Sequence, residues 1–228
     1  MKLLDSLYST VLQHRAELAR RRLGFVRFLL PAHVRYRIYD HFTVRLVEKL
    51  PSREFLRTTI TSALAAARVE RLLFVGTGAF NRQFYEQCRR KGIDVTTIDM
   101  DPRASKWGVP GRHIVGDVME LRRIDGELAF DAAILNGVFG FGIDRDDASR
   151  ALRVVAAALN PNGILVVGWN RGLTDDFCAL AEVRQFLIPI DLEGVSTRTE
   201  FPAVPPAQPW PHIYDICRVR SGALGWIR

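Results

Sequence analysis

Residues 72–102 constrain the fold more than any other part of the chain. They read LLFVGTGAFNRQFYEQCRRKGIDVTTIDMDP. An apolar run suited to a buried strand, Leu72–Gly76, ends in a Gly-x-Gly turn. A candidate helix, Arg82–Lys91, follows, and a second strand, Val95–Asp99, ends on an acid. Glycine lets backbone approach a ligand closely, and the start of the following helix offers unpaired N–H groups at the same place. An acid about 20 residues further on suits a pair of ribose hydroxyls. The segment predicts a site for a nucleoside-containing cofactor. A dinucleotide fold asks for Gly-x-Gly-x-x-Gly. Here the three positions are Gly76, Gly78 and Asn81, so the glycine that permits close helix–strand packing is absent.

Beyond Arg71 the pattern keeps alternating. Further candidate strands are His113–Gly116, Phe130–Asn136 and Ile164–Trp169, and further candidate helices are Asp146–Leu159 and Asp175–Phe186. Unbroken apolar runs such as AAILN and ILVVGW suit strands covered on both faces. Strand–helix alternation predicts parallel βαβ units. Asn160–Gly163 (NPNG) marks a tight turn. A proline-rich stretch, Asp191–Pro211, separates two late strands near Val195–Phe201 and His212–Val219 that pair antiparallel at an edge.

The first 70 residues read as helical. Leu3, Leu4, Leu7, Val11 and Leu12 form a stripe, and Arg20–Arg22 precedes the bulky Phe25 and Phe28. Ala32–Leu50 mixes apolar and arginine positions, and Ser52 is a candidate N-cap for a helix over Arg53–Ala67. This third holds the charge asymmetry. Residues 1–70 carry 13 basic and 6 acidic side chains, whereas residues 71–228 carry 19 of each, so the whole net charge of +7 lies before residue 71. Such a split favours an anionic partner or a basic solvated face. No apolar run is long enough for a membrane span. No secretory signal stands at the N-terminus, and Cys88, Cys178 and Cys217 have no metal or disulfide spacing. These features predict a cytoplasmic protein.

Five stations in order resemble the class I S-adenosylmethionine-dependent methyltransferases over about Arg71–Val219. FVGTGAF resembles the glycine-rich first motif, TTIDMDP the second strand, HIVGDVMEL the segment after the third strand, FDAAILNGVF the fourth strand and LNPNGILVVGWN the fifth. The resemblance implies an α/β fold, a seven-stranded, mostly parallel sheet with helices on both faces, Rossmann-like. It implies a methyltransferase domain over residues 71–228, with residues 1–70 as a helical N-terminal lid or substrate segment. It implies S-adenosyl-L-methionine as cofactor, held by Gly76, Thr77 and Gly78 in the turn, Asp99 on the ribose hydroxyls, Met100 on the adenine, Asp117 and Val118 at the adenine edge, and Asn136 and Gly137 after the fourth strand. Two positions depart from the family pattern: Phe74 stands where many members have an acid, and Phe80 where many have a glycine.

Methyl transfer from a sulfonium is chiefly a matter of positioning the nucleophile, so sequence shows the cofactor site better than the catalyst. The candidates for substrate contact are Phe139 and Phe141 in a glycine-rich loop, Trp169 and Asn170 after the fifth strand, and His212 and Tyr214 on the last strand. The expected activity is methylation of a small molecule or metabolite, an anionic or glycan-type one being the option that the basic N-terminal segment favours. Two alternatives stay open: an RNA methyltransferase using the basic N-terminal segment, and a non-catalytic binding protein on the same fold. The acceptor atom, the catalytic residue and the oligomeric state are not legible.

Overall fold

The computed structural model describes residues 44–121, 129–205 and 207–220. The expected Leu3–Leu12 stripe, the Arg20–Arg22 triplet and residues 32–43 lie outside the described residues.

A short helix over 44–48 leads to α1 (Pro51–Phe55), a π-helical turn (Leu56–Ile60) and α2 (Thr61–Ala66). Leu50, not Ser52, is the N-cap of α1, with Pro51 at the first helical position. Proline lacks the N–H that would be unpaired there. Ser52 is buried within the helix, and its hydroxyl donates to Gln208 Oε1 at 2.6 Å.

The chain then alternates: β1 (Arg71–Val75), α3 (Arg82–Arg90), β2 (Asp94–Asp99), β3 (His113–Val115), β4 (Phe130–Asn136), α4 (Arg145–Ala157) and β5 (Leu159–Asn170). Helix α4 forms where Ala148, Ala151, Leu152, Val155 and Ala156 recur at helical spacing, and all five are buried. The expected helix over Asp175–Phe186 is instead a 3₁₀ turn (Phe177–Ala179) and one turn of helix, α5 (Ala181–Arg184). Asp176 ends any continuous helix by capping the 3₁₀ turn, accepting from the Ala179 N–H at 3.1 Å. Three strands close the fold: β6 (Leu187–Pro189), β7 (Arg198–Phe201) and β8 (His212–Val219).

The sheet order is β3-β2-β1-β4-β5-β8-β6, with β7 also on β8. The first five strands are parallel, and β8 enters antiparallel to β5. β6 pairs with Cys217–Val219, while β7 pairs with His212–Asp215. The eight strands therefore occupy seven positions, the outermost shared end to end by β6 and β7. This is the expected α/β, Rossmann-like architecture, and the antiparallel edge is the expected one. The NPNG turn lies inside β5 as a bulge: Leu159 pairs with Phe130, and regular pairing resumes at Ile164 opposite Ala132.

Side chains alternate strictly between the two faces. Leu73, Val75, Ala133, Leu135, Leu165, Val167 and Trp169 pack with α4. Leu72, Phe74, Ala132, Ile134, Val166, Tyr214 and Ile216 pack with α1–α3 through Leu56, Ile60, Leu64 and Phe84. Residues before β1 thus share a core with the sheet. Asp131 ties the junction, its carboxylate accepting from the Glu70 and Arg71 N–H groups at 2.9 and 2.8 Å and from Asn160 Nδ2 at 2.8 Å.

Candidate functional site

Ligands of open α/β sheets bind at the carboxyl ends of the strands. There the described residues form a cavity of about 350 Å³ whose wall includes Gly76, Thr77, Phe80, Asn81, Asp99, Met100, Asp117, Val118, Asn136, Gly137 and Phe141. The cavity crosses the ends of β3, β2, β1 and β4. With neighbouring strands about 4.8 Å apart, it spans about 14 Å from Asp117 to Asn136.

At the β2 end Asp99 is fixed by two backbone donors. The Thr77 N–H reaches Oδ2 at 2.7 Å, and the Asp101 N–H reaches Oδ1 at 2.9 Å. The Thr77 hydroxyl is shared between Asp99 Oδ2 at 3.2 Å and the Ala104 carbonyl at 3.4 Å. When it turns to the carbonyl, each carboxylate oxygen keeps one lone pair for a ligand. That pair of parallel acceptors matches a vicinal diol. Asp101 is occupied elsewhere, capping the next turn and gripping Arg103 at 2.9 Å. One oxygen of exposed Asp117 caps the turn after β3 through the Met119 N–H at 2.9 Å, and the other has no partner among the described residues. Met100 and Phe141, at 63% and 66% exposure, are the two most exposed large apolar side chains among the described residues, and both line the cavity.

The glycines are needed for different reasons. Gly76 has φ +82°, and a Cβ there would sit 2.5 Å from Val138 Cγ1. Gly137 has φ +69° and holds the β4 end open. Gly78 is extended and does not line the cavity; a Cβ on it would meet the Phe80 ring at 2.8 Å. Its role is to let that ring fold back. Asn81 is buried where a dinucleotide site has glycine, and its Nδ2 donates to the Gly76 carbonyl at 3.5 Å. Phe74 points away from the cavity into the α1–α3 core, packed on Phe84 and Tyr85 at centroid distances of 5.1 and 5.4 Å. Phe80 does form part of the wall.

Beyond Gly137 the α1 face of the sheet is polar. Asn136, Gly168 and Tyr214 are register partners across β4, β5 and β8. The absent side chain at Gly168 lets Asn136 Nδ2 reach the Tyr214 hydroxyl at 3.3 Å; a Cβ there would lie 2.4 Å from Asn136 Oδ1. The Tyr214 hydroxyl donates to the Ser52 carbonyl at 3.2 Å. His212 Nδ1 donates to Asn170 Oδ1 at 2.8 Å, which leaves Nε2 as a bare acceptor, buried and unpartnered. Burial, then the nearby Arg53 charge, pushes the His212 pKa down to about 3, so the ring is neutral. Burial pushes Tyr214 up to about 12.

The six substrate candidates therefore divide. Phe141 lines the cavity, while Asn170, His212 and Tyr214 are buried beside its β4 end on the α1 face. Phe139 and Trp169 belong to the opposite core: Phe139 packs on Phe177 at 4.9 Å, and Trp169 Nε1 donates to Asp215 Oδ2 at 2.7 Å. Sequence reasoning missed Arg53, which lies over Phe80 with the guanidinium carbon 4.5 Å from the ring centroid and donates to Asn81 Oδ1 at 3.3 Å. No local signal marks it among the surrounding arginines. No cluster of metal-ligating side chains occurs among the described residues, and none of their helices is long and apolar enough to cross a membrane.

Residues 73–167 match the family model described as a methyltransferase domain. The fold is similar to N-methyltransferase NodS from Bradyrhizobium japonicum WM9, at 17% identity and TM-score 0.54 over 75% of this chain and 97% of that one. A structure of NodS in complex with S-adenosyl-l-homocysteine matches at 18% identity and TM-score 0.51, over 75% and 89%. A third match is 1,6-didemethyltoxoflavin-N1-methyltransferase from Burkholderia thailandensis, with bound 1,6-didemethyltoxoflavin and S-adenosylhomocysteine. It has 19% identity and TM-score 0.52 over 84% and 92% of the two chains. Sequence comparison with curated proteins gives no match.

Proposed function

We propose that this chain, whose residues 73–167 match the methyltransferase-domain family model, is a class I S-adenosylmethionine-dependent methyltransferase that transfers the methyl group of S-adenosyl-L-methionine to a small molecule. The observation that carries the reading is Asp99, pinned by the Thr77 and Asp101 N–H groups with acceptor capacity toward the cavity. The residues present fit the cofactor. Asp99 takes the ribose hydroxyls, the free oxygen of Asp117 and the Val118 backbone take the adenine edge, and Met100 and Phe141 cover the ring. Gly76 and Gly137 bring backbone close to the amino-acid part, where any side chain would adopt a strained φ.

When bound, the cofactor supplies an electrophilic methyl carbon on a sulfonium. The protein's part is to orient the acceptor and exclude water. Neither His212 nor Tyr214 has a pKa suited to proton abstraction at neutral pH. His212 Nε2 instead offers a neutral acceptor for an N–H or O–H of the methylated molecule. Proximity and orientation are then the main source of rate. Support for a small acceptor comes from the buried polar side chains of Asn170, His212 and Tyr214 on the α1 face, where His212 Nε2 has no partner. The charge that motivates an RNA substrate lies mostly in residues 1–43, outside the described residues. Buried, unpaired Cys88, Cys178 and Cys217 fit a reducing compartment.

Calorimetric titration with S-adenosylhomocysteine and with NAD tests this reading. The sulfur nucleoside is expected to bind and NAD not to. Asp99→Asn should weaken the sulfur nucleoside by about 10-fold or more, the scale of losing a hydrogen bond to a charged group. Binding of NAD alone, or indifference to Asp99→Asn, sinks it.

A further inference from the structure

Cys178 and Cys217 stand 39 positions apart in the chain, and the fold sets them side by side. Cys178 lies on the 3₁₀ turn Phe177–Ala179 and Cys217 on β8. Both are free thiols buried in the core that packs on α4, at 6% and 1% exposure. Cys88 is in the opposite core, on α3.

One guanidinium fixes how the turn lies on the strand. Arg198 holds the Asp176 carboxylate through Nη1 and Nη2 at 2.7 and 2.8 Å, and the Asp215 carboxylate through Nε and Nη2 at 2.5 and 3.0 Å. Two residues beyond each carboxylate stands a cysteine. With Asp176 tied to Asp215, the turn runs along β8, and the Cys178 thiol meets the Cys217 thiol as a hydrogen-bond partner. That contact first, then burial, then the Asp215 and Asp176 charges raise the Cys178 pKa. A disulfide requires Cβ atoms that point toward each other and Cα atoms within about 7 Å. Two thiols in mutual contact across a clamped turn and strand come from side chains aimed in that way.

We propose that Cys178 and Cys217 are a modification site, a pair that forms a reversible intramolecular disulfide by exchange with a small disulfide of the glutathione class. Cys178, the more exposed, loses its proton and attacks one sulfur of the oxidised glutathione. That S–S bond breaks, and one glutathione leaves as a thiolate that takes up a proton. Cys217 then loses its proton and attacks the Cys178 sulfur. The mixed disulfide breaks, and the second glutathione leaves in the same way. Two protein thiols become one disulfide while one disulfide in solution becomes two thiols. Entry is through the turn, because a single 3₁₀ turn opens locally at lower cost than a strand inside a sheet. The environment disfavours the thiolate, so the first attack is slow at neutral pH and faster as pH rises. The closed loop contains β6, β7 and the part of β8 that carries His212 and Tyr214. Oxidation therefore fastens the segment that bears two of the substrate candidates.

The test is to incubate the full chain with oxidised glutathione well below its unfolding temperature, alkylate the remaining thiols and map the peptides by mass spectrometry. A Cys178–Cys217 cross-link is expected, with Cys88 alkylated and the link reversed by dithiothreitol. The oxidised protein should melt about 5–15 °C above the reduced one, the scale for closing a loop of this length in a chain of this size. That difference should vanish in Cys178→Ala and in Cys217→Ala and persist in Cys88→Ala. Mapping and melting of the wild type decide the matter even where an alanine variant does not fold. Complete alkylation, or glutathione adducts without a cross-link, overturns the proposal. So does a link that involves Cys88, or one that forms only after denaturant has unfolded the chain. A cross-linked protein that melts no higher than the reduced one overturns it as well, because the turn and strand are then not set for the bond.

Discussion

The two sides of the cavity are built in different ways. The β2–β3 side is local. Thr77, Asp99 and Asp101 come from one βαβ unit, and Asp117 follows on the next strand. The β1–β4 side is lined by Phe80 and Asn81 after β1 and by Asn136 and Gly137 after β4, and it is backed from far apart, by Arg53 of α1 on Phe80 and Asn81 and by Tyr214 of β8 on Asn136. The first side is a side chain held by backbone, as when the Thr77 and Asp101 N–H groups clamp Asp99. The second is side chains held by distant elements, as when Tyr214 links Asn136 to the α1 backbone. Recognition of a common nucleoside can be carried by a short motif. Recognition of what varies needs the tertiary structure.

The largest effect that would break this division is Gly76→Ala. A Cβ at φ +82° would press on Val138 Cγ1 at 2.5 Å, so binding of both 5′-methylthioadenosine and S-adenosylhomocysteine should fall by at least about 100-fold. Retained affinity for either would show that the turn does not touch the ligand. Gly168→Ala comes next. Its Cβ would displace the Asn136 amide from Tyr214, at a cost of about 1–3 kcal/mol in denaturant unfolding. Nucleoside affinity should be much less affected, because Asp99 and Asp117 lie three and four strands away from Gly168.

His212 supplies a pH signature for the second side. Its folded pKa, about 3, lies below the unfolded value of 6.5. The unfolded chain therefore binds the extra proton, and stability falls as pH drops from 6.5 toward 3. Between pH 7 and 5 the wild type should lose about 2 kcal/mol through this group alone, and His212→Gln should remove most of that slope. A variant with an unaltered pH profile would mean that the imidazole is not buried neutral. The smallest expected effect belongs to Trp169→Phe. It removes one hydrogen bond to Asp215, which Arg198 continues to hold at 2.5 and 3.0 Å. Stability should fall by about 1 kcal/mol, with no change in affinity for any ligand; a change in affinity would put Trp169 in the site after all.

Much of the fold was legible because period and punctuation carry it. The parallel strands, α3, α4 and the proline-flanked antiparallel edge all announce themselves in apolar runs and turn residues. The helix expected over Asp175–Phe186 was not legible, because the Asp176 cap and the extended Leu180 break a segment whose composition alone suits a helix. The substrate candidates failed to sort for a simpler reason. Trp169 and Asn170 are adjacent in sequence, and adjacent strand residues face opposite sides of a sheet. One entered the α4 core and the other the polar α1 face, and sequence does not say which face carries the site. Phe74 is the same lesson in reverse: its departure from the family pattern had no consequence for the cavity, because β1 turns that ring into the core.

The sequence by itself determined the architecture that carries Asp99 to the cavity, since a strand, a glycine turn and an acid at the end of the next strand lie within one stretch of chain. It also determined the charge imbalance before residue 71. Only the tertiary structure decided which side chains share the β1–β4 side of the cavity. Arg53 is one of several arginines in its segment, and Phe80 is one ring among thirteen phenylalanines. They acquire meaning when the packing of α1 on the sheet sets the guanidinium over the ring. Contacts between residues far apart in sequence are fixed by packing of whole elements, and no local pattern of charge or hydrophobicity encodes them.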